Sequence, residues 1–448
     1  MELSTSQKDN RVLIYNGFEY LYAKTLNGID TWKCRENRQS KCHSRMKTRN
    51  NDIIQEPSSH SHDACPQKAE ANIAKRRMVE AMAEINATAR NVIGETLSKL
   101  STDVIAYLPK QSSLARTLRN HRVMKHLPNP PTADFAIPEK YRDLVLHDSV
   151  LDGSNRILIL GDRDLMGKLS QDTLFGDGTF DKAPNMFYQL YTVHAKVGNS
   201  YPPCVYILLT KKNEQTYLEM FNILKRLVPD MAPERILLDF EKACMNAARI
   251  VFPETEIKGC YFHLCQSIIR KINAVGLKSE YESNIDTRLK LKSLAALSFV
   301  PKEDVQDIFK SLASTFPDED RFNEVLSYFF STYIQGAAGR GPLFHPRTWN
   351  HYDTALNESP RTTNSCEGFH NALNSIFHCS HPSVWTLFDG LRRDLACHKL
   401  TLVNSETNQL EPTKRKYRKL YAIVASSVEK YHGTKDKLSY LRKIANIQ

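Results

Sequence analysis

The sequence lacks any long hydrophobic run, and none of its apolar stretches approaches the roughly 20 residues that a membrane span requires. No apolar segment typical of a secretion signal follows its polar start, Met1-Glu2-Leu3-Ser4. Its ten cysteines have no regular paired spacing, so they do not indicate a disulfide framework. These absences argue against a membrane partner and against secretion, and they favour a reducing compartment, either the cytosol or the nucleus.

What the sequence does contain is length and positive charge. Its 448 residues exceed one average domain, so two to four units are expected. The net charge of +11 and the pI near 9.0 favour a polyanionic partner, because lysine and arginine side chains gain free energy by releasing counterions from phosphates. One short window has Glu36 as its only acid, and its cations are the candidate DNA-binding residues: Lys33, Arg35, Arg38, Lys41, Arg45, Lys47 and Arg49.

The first 65 residues predict a small β domain with little core. Short strands are expected at 12–15, 18–22 and 31–34, with turns at Asn16-Gly17 and Asn27-Gly28. A domain of this size usually needs a cross-link or a bound metal to fold.

Two thiols and two imidazoles in this region are candidate metal ligands. Cys34-x7-Cys42 followed by His60-x-His62 offers the donors that a tetrahedral structural Zn²⁺ prefers. Two alternatives remain on the residues alone: two buried cysteines with two loop histidines, or a site in which Cys65 replaces a histidine.

Beyond this domain the pattern changes twice. Residues 68–126 are typical of basic helices, and Pro128, Pro130 and Pro131 indicate a linker. From Ile157 onward strand and helix patterns alternate, with helices at 216–228 and 241–251. Strands are expected at 172–180, 186–197, 203–210, 235–240 and 256–262. Three strands followed by helix, strand, helix and strand is the order of an α/β or α+β fold.

The remainder of the chain looks helical. Residues 264–345 contain few strand patterns and resemble an insertion, and a last helical region is expected from about 364 onward. The basic run from Lys414 to Lys419 is either a nuclear import signal or the solvated face of a helix. The His378-Cys379-Ser380-His381 group has metal-ligand composition, but a surface turn before Pro382 is the better interpretation.

Asp177 is the first candidate catalytic carboxylate. It lies in Gly176-Asp177-Gly178-Thr179-Phe180, where the flanking glycines would let another backbone, such as a nucleic-acid phosphate, approach closely. The competing interpretation is a hairpin turn, because Asp-Gly between apolar residues is typical of one. Strand alternation would place Asp181 on the same face, which makes it a rival ligand.

Asp239 is the second candidate. It follows the apolar run Ile236-Leu237-Leu238, which predicts a strand buried on both faces. A carboxylate at the carboxyl end of such a strand is well placed to face a ligand crevice. It could also cap the helix that begins near Glu241, and both roles can coexist.

Glu367 is the third candidate and the one most open to challenge. With Asn364 as the N-cap, Glu367 falls at the third position of a helix, where a capping-box variant explains it without catalysis. Glu358 or a residue in the helical insertion are its rivals.

Cys260 and His263 form a Cys-x2-His pair at the end of the predicted strand 256–262. A buried thiol and a hydrogen-bonded histidine explain the pair without a metal. A second Zn²⁺ would need two further ligands, for which Cys265 and His370 are the available residues.

The N-terminal motifs resemble a known family. The aromatic strands, Trp32-Lys33-Cys34, Cys42 with Arg45 soon after it, and the closing His-x-His resemble a FLYWCH-type zinc finger over residues 10–65. This resemblance implies a structural Zn²⁺ held by Cys34, Cys42, His60 and His62, and a role in binding DNA or protein.

The three acids together resemble the ribonuclease-H-like core of DDE transposases, with the Mutator-like (MULE) family as the closest match. The resemblance covers roughly residues 155–400. Its motifs are Gly-Asp-Gly-Thr-Phe, Asp239-Phe240-Glu241-x-Ala243 with Val251-Phe252-Pro253, Cys260-x2-His263, and Asn364-x2-Glu367. A FLYWCH finger before such a core is a pairing also seen in that family.

This resemblance implies a chemistry. It assigns Asp177, Asp239 and Glu367 as a triad that binds Mg²⁺ or Mn²⁺, since these hard cations prefer carboxylate oxygen. Water would nick the element end, and the exposed 3′-hydroxyl would then attack target DNA. The resemblance leaves the role of Cys260 and His263 open.

The resulting expectation is a multidomain chain with a small β zinc-binding domain, a helical linker domain, and an α/β ribonuclease-H-like core with an all-helical insertion. The function expected is a nuclear DNA transposase that could act as a homo-oligomer on DNA. The alternative is a domesticated transposase that acts as a zinc-finger DNA-binding transcriptional regulator without catalysis. The expected segments are a finger at 10–66, a basic helical segment at 68–150, the core at 155–275 and 361–400, the insertion at 276–360, and a basic C-terminal region at 401–448.

Overall fold

The computed structural model describes residues 2–5, 11–37, 40–50, 52–82, 88–125, 127–149, 155–336, 340–357, 364–407 and 415–447. The chain divides into two compact units, Met1–Asn129 and Pro130–Gln448. The finer segment boundaries expected from the sequence stay predictions. None of the described helices is long and apolar enough to cross a membrane.

The first unit begins with an antiparallel sheet in which each strand pairs with the next along the chain. Its strands are β1 Glu2–Thr5, β2 Arg11–Tyr15, β3 Phe18–Leu26, β4 Ile29–Cys34, β5 Arg45–Arg49 and β6 Asp52–Gln55. Both residues of the Asn16-Gly17 and Asn27-Gly28 turns have positive φ, as tight two-residue hairpins require. The two predicted turns and the three predicted strands are therefore confirmed.

Strands β1, β5 and β6 were not predicted. In β5 the buried Met46 and Thr48 alternate with the exposed cations Arg45, Lys47 and Arg49. This is a regular period-two strand. Three of its five residues are charged and only Met46 is strongly apolar, so its hydrophobic pattern is weak.

Helices follow the sheet within the first unit. They are α1 Pro66–Ala81, α2 Ala89–Leu97, α3 Thr102–Ile105 and α4 Gln111–Lys125. Met78 of α1, Ile93 of α2 and Leu118 of α4 meet in a small core. The prediction of helices in this stretch is confirmed.

The second unit contains a seven-stranded mixed sheet with the order β13-β12-β9-β10-β11-β8-β7. Strands β12, β9 and β13 run parallel, whereas the other neighbours are antiparallel. The strands are β7 Val145–Ser149, β8 Ile157–Gly161, β9 Thr173–Thr179, β10 Gln189–Ala195, β11 Pro203–Leu209, β12 Arg235–Leu238 and β13 Glu256–Gly259.

Helices account for most of the remaining described residues of this unit. They are α5 Arg163–Gly167, α6 Glu214–Leu227, α7 Lys242–Val251, α8 Tyr261–Ala274, α9 Lys278–Ser283, α10 Ile285–Ala296, α11 Val305–Ala313, α12 Asp320–Phe329, α13 Pro346–Trp349, α14 Tyr352–Leu356, α15 Asn364–Ile376, α16 Val384–Glu406, α17 Arg415–Glu429 and α18 Lys437–Ile447. The predicted order of three strands, helix, strand, helix and strand is present as β9, β10, β11, α6, β12, α7 and β13.

The two faces of this sheet carry different cores. Alternate residues such as Ile207 and Ile236 pack with α6, α7 and α8, and we call this side the α7 face. Leu190 and Tyr206, on the opposite side, pack with α15 and α16, and we call it the α15 face. Strands β7 and β8 were not predicted, although Ile157–Gly161 is a short, fully buried apolar run of the kind that predicts a central strand.

Candidate functional site

The four predicted zinc ligands of the first unit lie together. One donor atom from each of Cys34, Cys42, His60 and His62 falls within 4.8 Å of the others. The thiol of Cys34 lies 3.2 Å from His62 Nε2, and that of Cys42 lies 3.3 Å from His60 Nδ1. This four-donor cluster fits a tetrahedral Zn²⁺, and the alternative of unrelated cysteines and loop histidines is wrong.

The ring nitrogens that face away from the cluster are hydrogen-bonded. His60 Nε2 lies 2.7 Å from the Tyr20 hydroxyl, and His62 Nδ1 lies 3.0 Å from the Asp63 carbonyl oxygen. The Phe18 ring stacks on His60 with centroids 3.6 Å apart. Such outer contacts fix which nitrogen of each imidazole can bind a metal.

The two thiols have different electrostatic surroundings. Burial raises the pKa of Cys34 to about 11. Burial also acts on Cys42, but hydrogen bonds from Ser61, Ser44 and Cys34 outweigh it and lower the pKa to about 7. Cys42 is therefore the thiol that ionises more easily, as a metal ligand must.

Cys65 stands apart from the cluster. It is the residue before α1, and its thiol lies 4.0 Å from the Gln67 side-chain oxygen. Among the described residues the cluster is completed by the two histidines, so Cys65 does not replace either of them.

The basic window spreads over several positions of the first unit. Arg45, Lys47 and Arg49 share the exposed side of β5, and Lys33 of β4 is the cross-strand partner of Arg45. Because partners in adjacent strands share a face, these four cations, which we call the basic row, lie on one side of the sheet.

Of the other three cations of the window, two lie apart from the basic row. Arg35 is bound to Glu19, with a nitrogen–oxygen distance of 3.0 Å. Lys41 is exposed in the segment before β5. Arg38 lies outside the described residues. DNA binding by the window stays a prediction.

Asp177 lies inside β9, in the second unit, and it is 3% exposed. It is paired with Thr192 of β10, and the Gly178 backbone N–H donates to its Oδ1 over 2.9 Å. The hairpin-turn interpretation is wrong, since β9 continues to Thr179. Asp181 lies beyond the strand, where its exposed carboxylate is 2.8 Å from Lys182. Strand alternation therefore does not bring Asp181 beside Asp177.

The glycines around Asp177 have a different purpose from the one expected. A Cβ at Gly176 would collide with the Tyr191 hydroxyl and lie 2.8 Å from Leu238. A Cβ at Gly178 would lie 2.7 Å from the Gln189 side-chain oxygen. Side chains of the α7 face already occupy this space, so it does not admit a phosphate. The glycines let the sheet pack tightly beneath Asp177.

Asp239 follows β12, the strand beside β9. The parallel register pairs Arg235 with Thr173 and Leu237 with Phe175. Two further residues along both chains bring Asp239, which lies just past the end of β12, level with Asp177. The two aspartates predicted as ligands are thus brought to neighbouring positions at one edge of adjacent strands.

The Asp239 carboxylate is poorly compensated. Its Oδ1 is buried and has no hydrogen-bond partner among the described residues. Burial, together with the nearby Glu241, raises its pKa to about 6, although Lys212 opposes the rise. The helix-capping interpretation is wrong, because Glu241 is the N-cap position of α7 and no side chain caps that helix. A divalent cation would supply the missing compensation, so the residues fit one.

Glu241 was missed as part of this neighbourhood. Its Oε2 accepts a hydrogen bond from the Tyr217 hydroxyl over 2.9 Å and lies 3.3 Å from the Lys212 ammonium. The Gln189 amide donates in turn to the Tyr217 hydroxyl over 2.6 Å. The sequence Asp239-Phe240-Glu241 places a second acid two residues after Asp239, and this was the available signal that Glu241 belongs to the site.

Helix α15 lies on the same face as Asp177. Thr192, the partner of Asp177, is opposite Tyr206 of β11, whose ring centroid lies 5.8 Å from that of Phe369 in α15. Helix α15 also contacts β9 directly. Glu367 belongs to the first turn of α15, but its side chain lies outside the described residues. Its rival Glu358 also lies outside them.

Two families match this chain in separate segments. Residues 173–267 match the family model of the MULE transposase domain. Residues 3–62 match the family model of the FLYWCH zinc finger domain. The chain is similar to both families in these segments, as its motifs predicted. A comparison with curated proteins gives no match.

The boundaries of the two matches separate the candidate residues. The FLYWCH match includes all four members of the Cys/His cluster and ends at His62, before Cys65. The MULE match includes Asp177, Asp239 and the Cys260-x2-His263 pair. Glu367 lies beyond it, so its assignment depends on its own motif and on the position of α15.

The Cys260-x2-His263 pair begins a helix. Strand β13 ends at Gly259, Cys260 is the N-cap of α8, and His263 lies in the first turn. The predicted strand 256–262 is therefore too long. Cys260 is fully buried, and no metal cluster includes it among the described residues. Cys265 is on the same helix, whereas the His370 side chain lies outside the described part of the chain.

Two exposed aromatic side chains, which were not predicted, lie just after β9 and just before β10. Phe180 and Tyr188 are 45% and 54% exposed, with ring centroids 5.5 Å apart. The Lys212 ammonium lies 4.9 Å from the centre of the Phe180 ring. The His378–His381 group is an exposed turn, as the sequence indicated.

Proposed function

We propose that this chain is a transposase-like nuclear protein that binds DNA through its finger and cleaves and joins DNA phosphodiesters through Asp177, Asp239 and Glu367. The observation that supports the proposal is the strand register, which brings the positions of Asp177 and Asp239 level on adjacent strands, with α15 packed against β9. The observed strand and helix order supports a ribonuclease-H-like core.

The carboxylates would hold Mg²⁺ or Mn²⁺. When bound, the cations activate the attacking oxygen and stabilise the leaving oxygen of an in-line displacement. Asp177 supplies an oxygen whose orientation is fixed by the Gly178 N–H. Asp239 supplies a buried oxygen that has no hydrogen bond among the described residues. Glu367 would add a third carboxylate from α15.

The reaction has two steps in this proposal. Water attacks phosphorus, the bond to the 3′ oxygen breaks, and that oxygen takes up a proton to become a 3′-hydroxyl. This hydroxyl then attacks a target phosphodiester and displaces the target strand's own 3′ oxygen. Lys212, beside Glu241 and over the Phe180 ring, is positioned to contact a phosphate, and the exposed rings of Phe180 and Tyr188 can stack on bases.

The test compares the full chain with its Asp177→Asn, Asp239→Asn double variant. We expect wild type to bind Mn²⁺ and to nick supercoiled plasmid DNA, and the double variant to lose nicking by about 10³-fold, which corresponds to about 4 kcal/mol of barrier. An Asp230→Asn, Asp318→Asn variant removes two exposed carboxylates as the matched control. It should behave as wild type.

Two results would refute the catalytic part of this proposal. One is equal Mn²⁺ binding and equal nicking by wild type and the double variant. The other is a folded wild-type chain that binds DNA but never cleaves it, even when given DNA ends of its own element. The chain would then be a DNA-binding regulator that retains the core as a scaffold.

A further inference from the structure

A cavity of about 710 Å³ lies along β13, at one edge of the sheet in the second unit. Residues of α7 at helical spacing form one wall, from Lys242 through Asn246 to Arg249. The edge strand forms the floor, and Lys302 with the segment 342–353 forms the opposite wall. The volume is within the range of natural ligand sites.

The charge of the lining is strongly unbalanced. It contains two acids, Glu256 and Asp353, and several cations. Glu256 is already engaged, at 2.7 Å from Arg235 and 3.0 Å from Lys258. The cations of the lining are Lys242, Arg249, Lys258, Lys302 and Arg347.

These cations differ in how far the protein itself compensates them. Lys258 donates to the carbonyl oxygens of Arg347 and Asn350, each over 3.0 Å, in addition to its contact with Glu256. Lys242, Arg249 and Arg347, by contrast, make no ion pair with any carboxylate in the part of the chain that the structure describes.

Arg249 shows the consequence of this arrangement. Its guanidinium donates to the Thr348 hydroxyl over 3.2 Å, and burial lowers its pKa. The side chain is otherwise exposed, and a neutral hydroxyl does not compensate its charge, so the guanidinium is available to an anionic ligand.

The cavity begins beside the aspartate pair. Lys242 opens α7 three residues after Asp239, so their Cα atoms are at most about 11 Å apart. Phe240, between them, packs on Gly259 and lies 5.0 Å from Phe344, which lines the cavity. The exposed Leu343 at the rim offers an apolar contact for a sugar or a base.

We propose that this cavity binds the sugar-phosphate backbone of a DNA strand, with Lys242, Arg249, Lys302 and Arg347 contacting its phosphates. The ligand chemistry is a row of closely spaced phosphates. The choice of DNA as its source rests on the proposed function, whereas the site itself rests on the cavity and on the excess of cations in its lining.

The first experiment measures lysine accessibility in the full chain. Acetylation of each lysine is followed by mass spectrometry, with and without a DNA duplex about three helical turns long and without added Mg²⁺ or Mn²⁺. We expect DNA to slow the acetylation of Lys242 and Lys302 severalfold. The exposed Lys430, after α17, and Lys443, on α18, should be unchanged. Equal rates at Lys242 and Lys302 with and without DNA would overturn the proposal.

A second experiment uses a Lys242→Gln, Lys302→Gln, Arg347→Gln variant. Removing one phosphate contact should reduce the slope of log affinity against log salt by about 0.9, so a fall of about 2 to 3 is expected. The Lys430→Gln, Lys435→Gln, Lys443→Gln variant removes the same charge from exposed positions and should keep the wild-type slope. Equal slopes for the two variants would contradict the inference.

The outcomes separate this inference from the proposed catalysis. Protection of Lys242 and Lys302 in a chain that cannot cleave would leave the binding site intact and reject the catalytic step. DNA cleavage without protection of Lys242 and Lys302 would support the catalytic step and reject the binding site. Inorganic triphosphate serves as the small-ligand probe, and if it protects both lysines at lower concentration than the duplex does, the assignment to DNA is wrong.

Discussion

The two candidate metal sites of this chain are built in opposite ways. In the first unit, four ligands converge within 4.8 Å around a small core, whose buried members among the described residues are Leu13, Tyr20, Trp32, Cys34, Cys42 and Met46. In the second unit, two aspartates lie on a sheet with a large core on each face. At the first site a bound metal would supplement a small core, whereas at the second a large core alone supports the strands that carry the acids. Zinc should therefore be needed for folding, whereas the second unit should fold without its divalent cations.

The largest effect expected from this comparison is the loss of zinc. The Cys34→Ser, Cys42→Ser variant should bind no Zn²⁺, and β2 to β6 should lose their hydrogen-exchange protection while β8 to β13 keep theirs. Structural zinc contributes about 10–16 kcal/mol in zinc-finger peptides, which exceeds the margin of a small domain. Native mass spectrometry and hydrogen exchange measure both effects.

Cys65→Ser is the matched control for the zinc experiment, because Cys65 lies outside the cluster. It should retain one Zn²⁺ per chain. Full zinc occupancy in the Cys34→Ser, Cys42→Ser variant would show that the Cys/His cluster is not the zinc site.

The next effect tests whether the core supports the aspartates. Gly176→Ala should lower the free energy of unfolding of the second unit by about 1–3 kcal/mol, because the new Cβ would collide with Tyr191 and Leu238. Gly167→Ala is the control, since nothing lies within 4 Å of a Cβ there. Denaturant unfolding measures both variants. Equal stability would mean that the space beneath Asp177 is open after all.

A smaller effect concerns pH. The pKa of Asp239 in the fold, about 6, is above its ordinary value of 3.8, so the folded state holds the proton more tightly than the unfolded state does. The protonated Asp239 carboxyl therefore contributes its full stabilisation of the folded state below about pH 4, and this contribution is lost as the pH rises through about 6. In metal-free protein, Asp239→Asn should thus add about 1–3 kcal/mol of stability at about pH 8 and nothing at about pH 3.5.

Thermal unfolding across this pH range checks the prediction, with Asp230→Asn as the exposed control. Mn²⁺ should stabilise wild type and leave Asp239→Asn unchanged. A variant with the pH profile of wild type would show that Asp239 ionises freely, as an exposed acid does.

The smallest effect concerns the basic row on the finger. Arg45→Gln with Lys47→Gln should reduce the salt slope of DNA binding by about 2 if each cation contacts one phosphate. Lys24→Gln with Lys110→Gln removes equal charge from exposed positions of the same unit. Fluorescence anisotropy at several salt concentrations compares the two. If both pairs behave alike, the basic row contributes only general charge.

The parts of this molecule that the sequence predicted are those that depend on local pattern. Ile236-Leu237-Leu238 predicted a strand because its apolar residues are contiguous, and the Cys/His cluster could be assigned because its ligand types are rare. The assignment of Asp177 and Asp239 came from a resemblance, and the strand register adds that their positions are level on adjacent strands. The packing of Phe240 on Gly259, the partners of Glu241 and the basic cavity depend on residues distant in sequence, which no local pattern predicts.

The edge strand β13 has one more consequence. A bare edge strand offers unpaired backbone groups on which another chain can add a strand. Here α13 packs along β13, and the His351 ring donates to the Gly259 carbonyl oxygen over 2.9 Å. Lys258 of the same strand donates to the carbonyl oxygens of Arg347, in α13, and of Asn350, just after it. This edge is therefore shielded from strand addition, and we do not expect copies of the chain to pair through it.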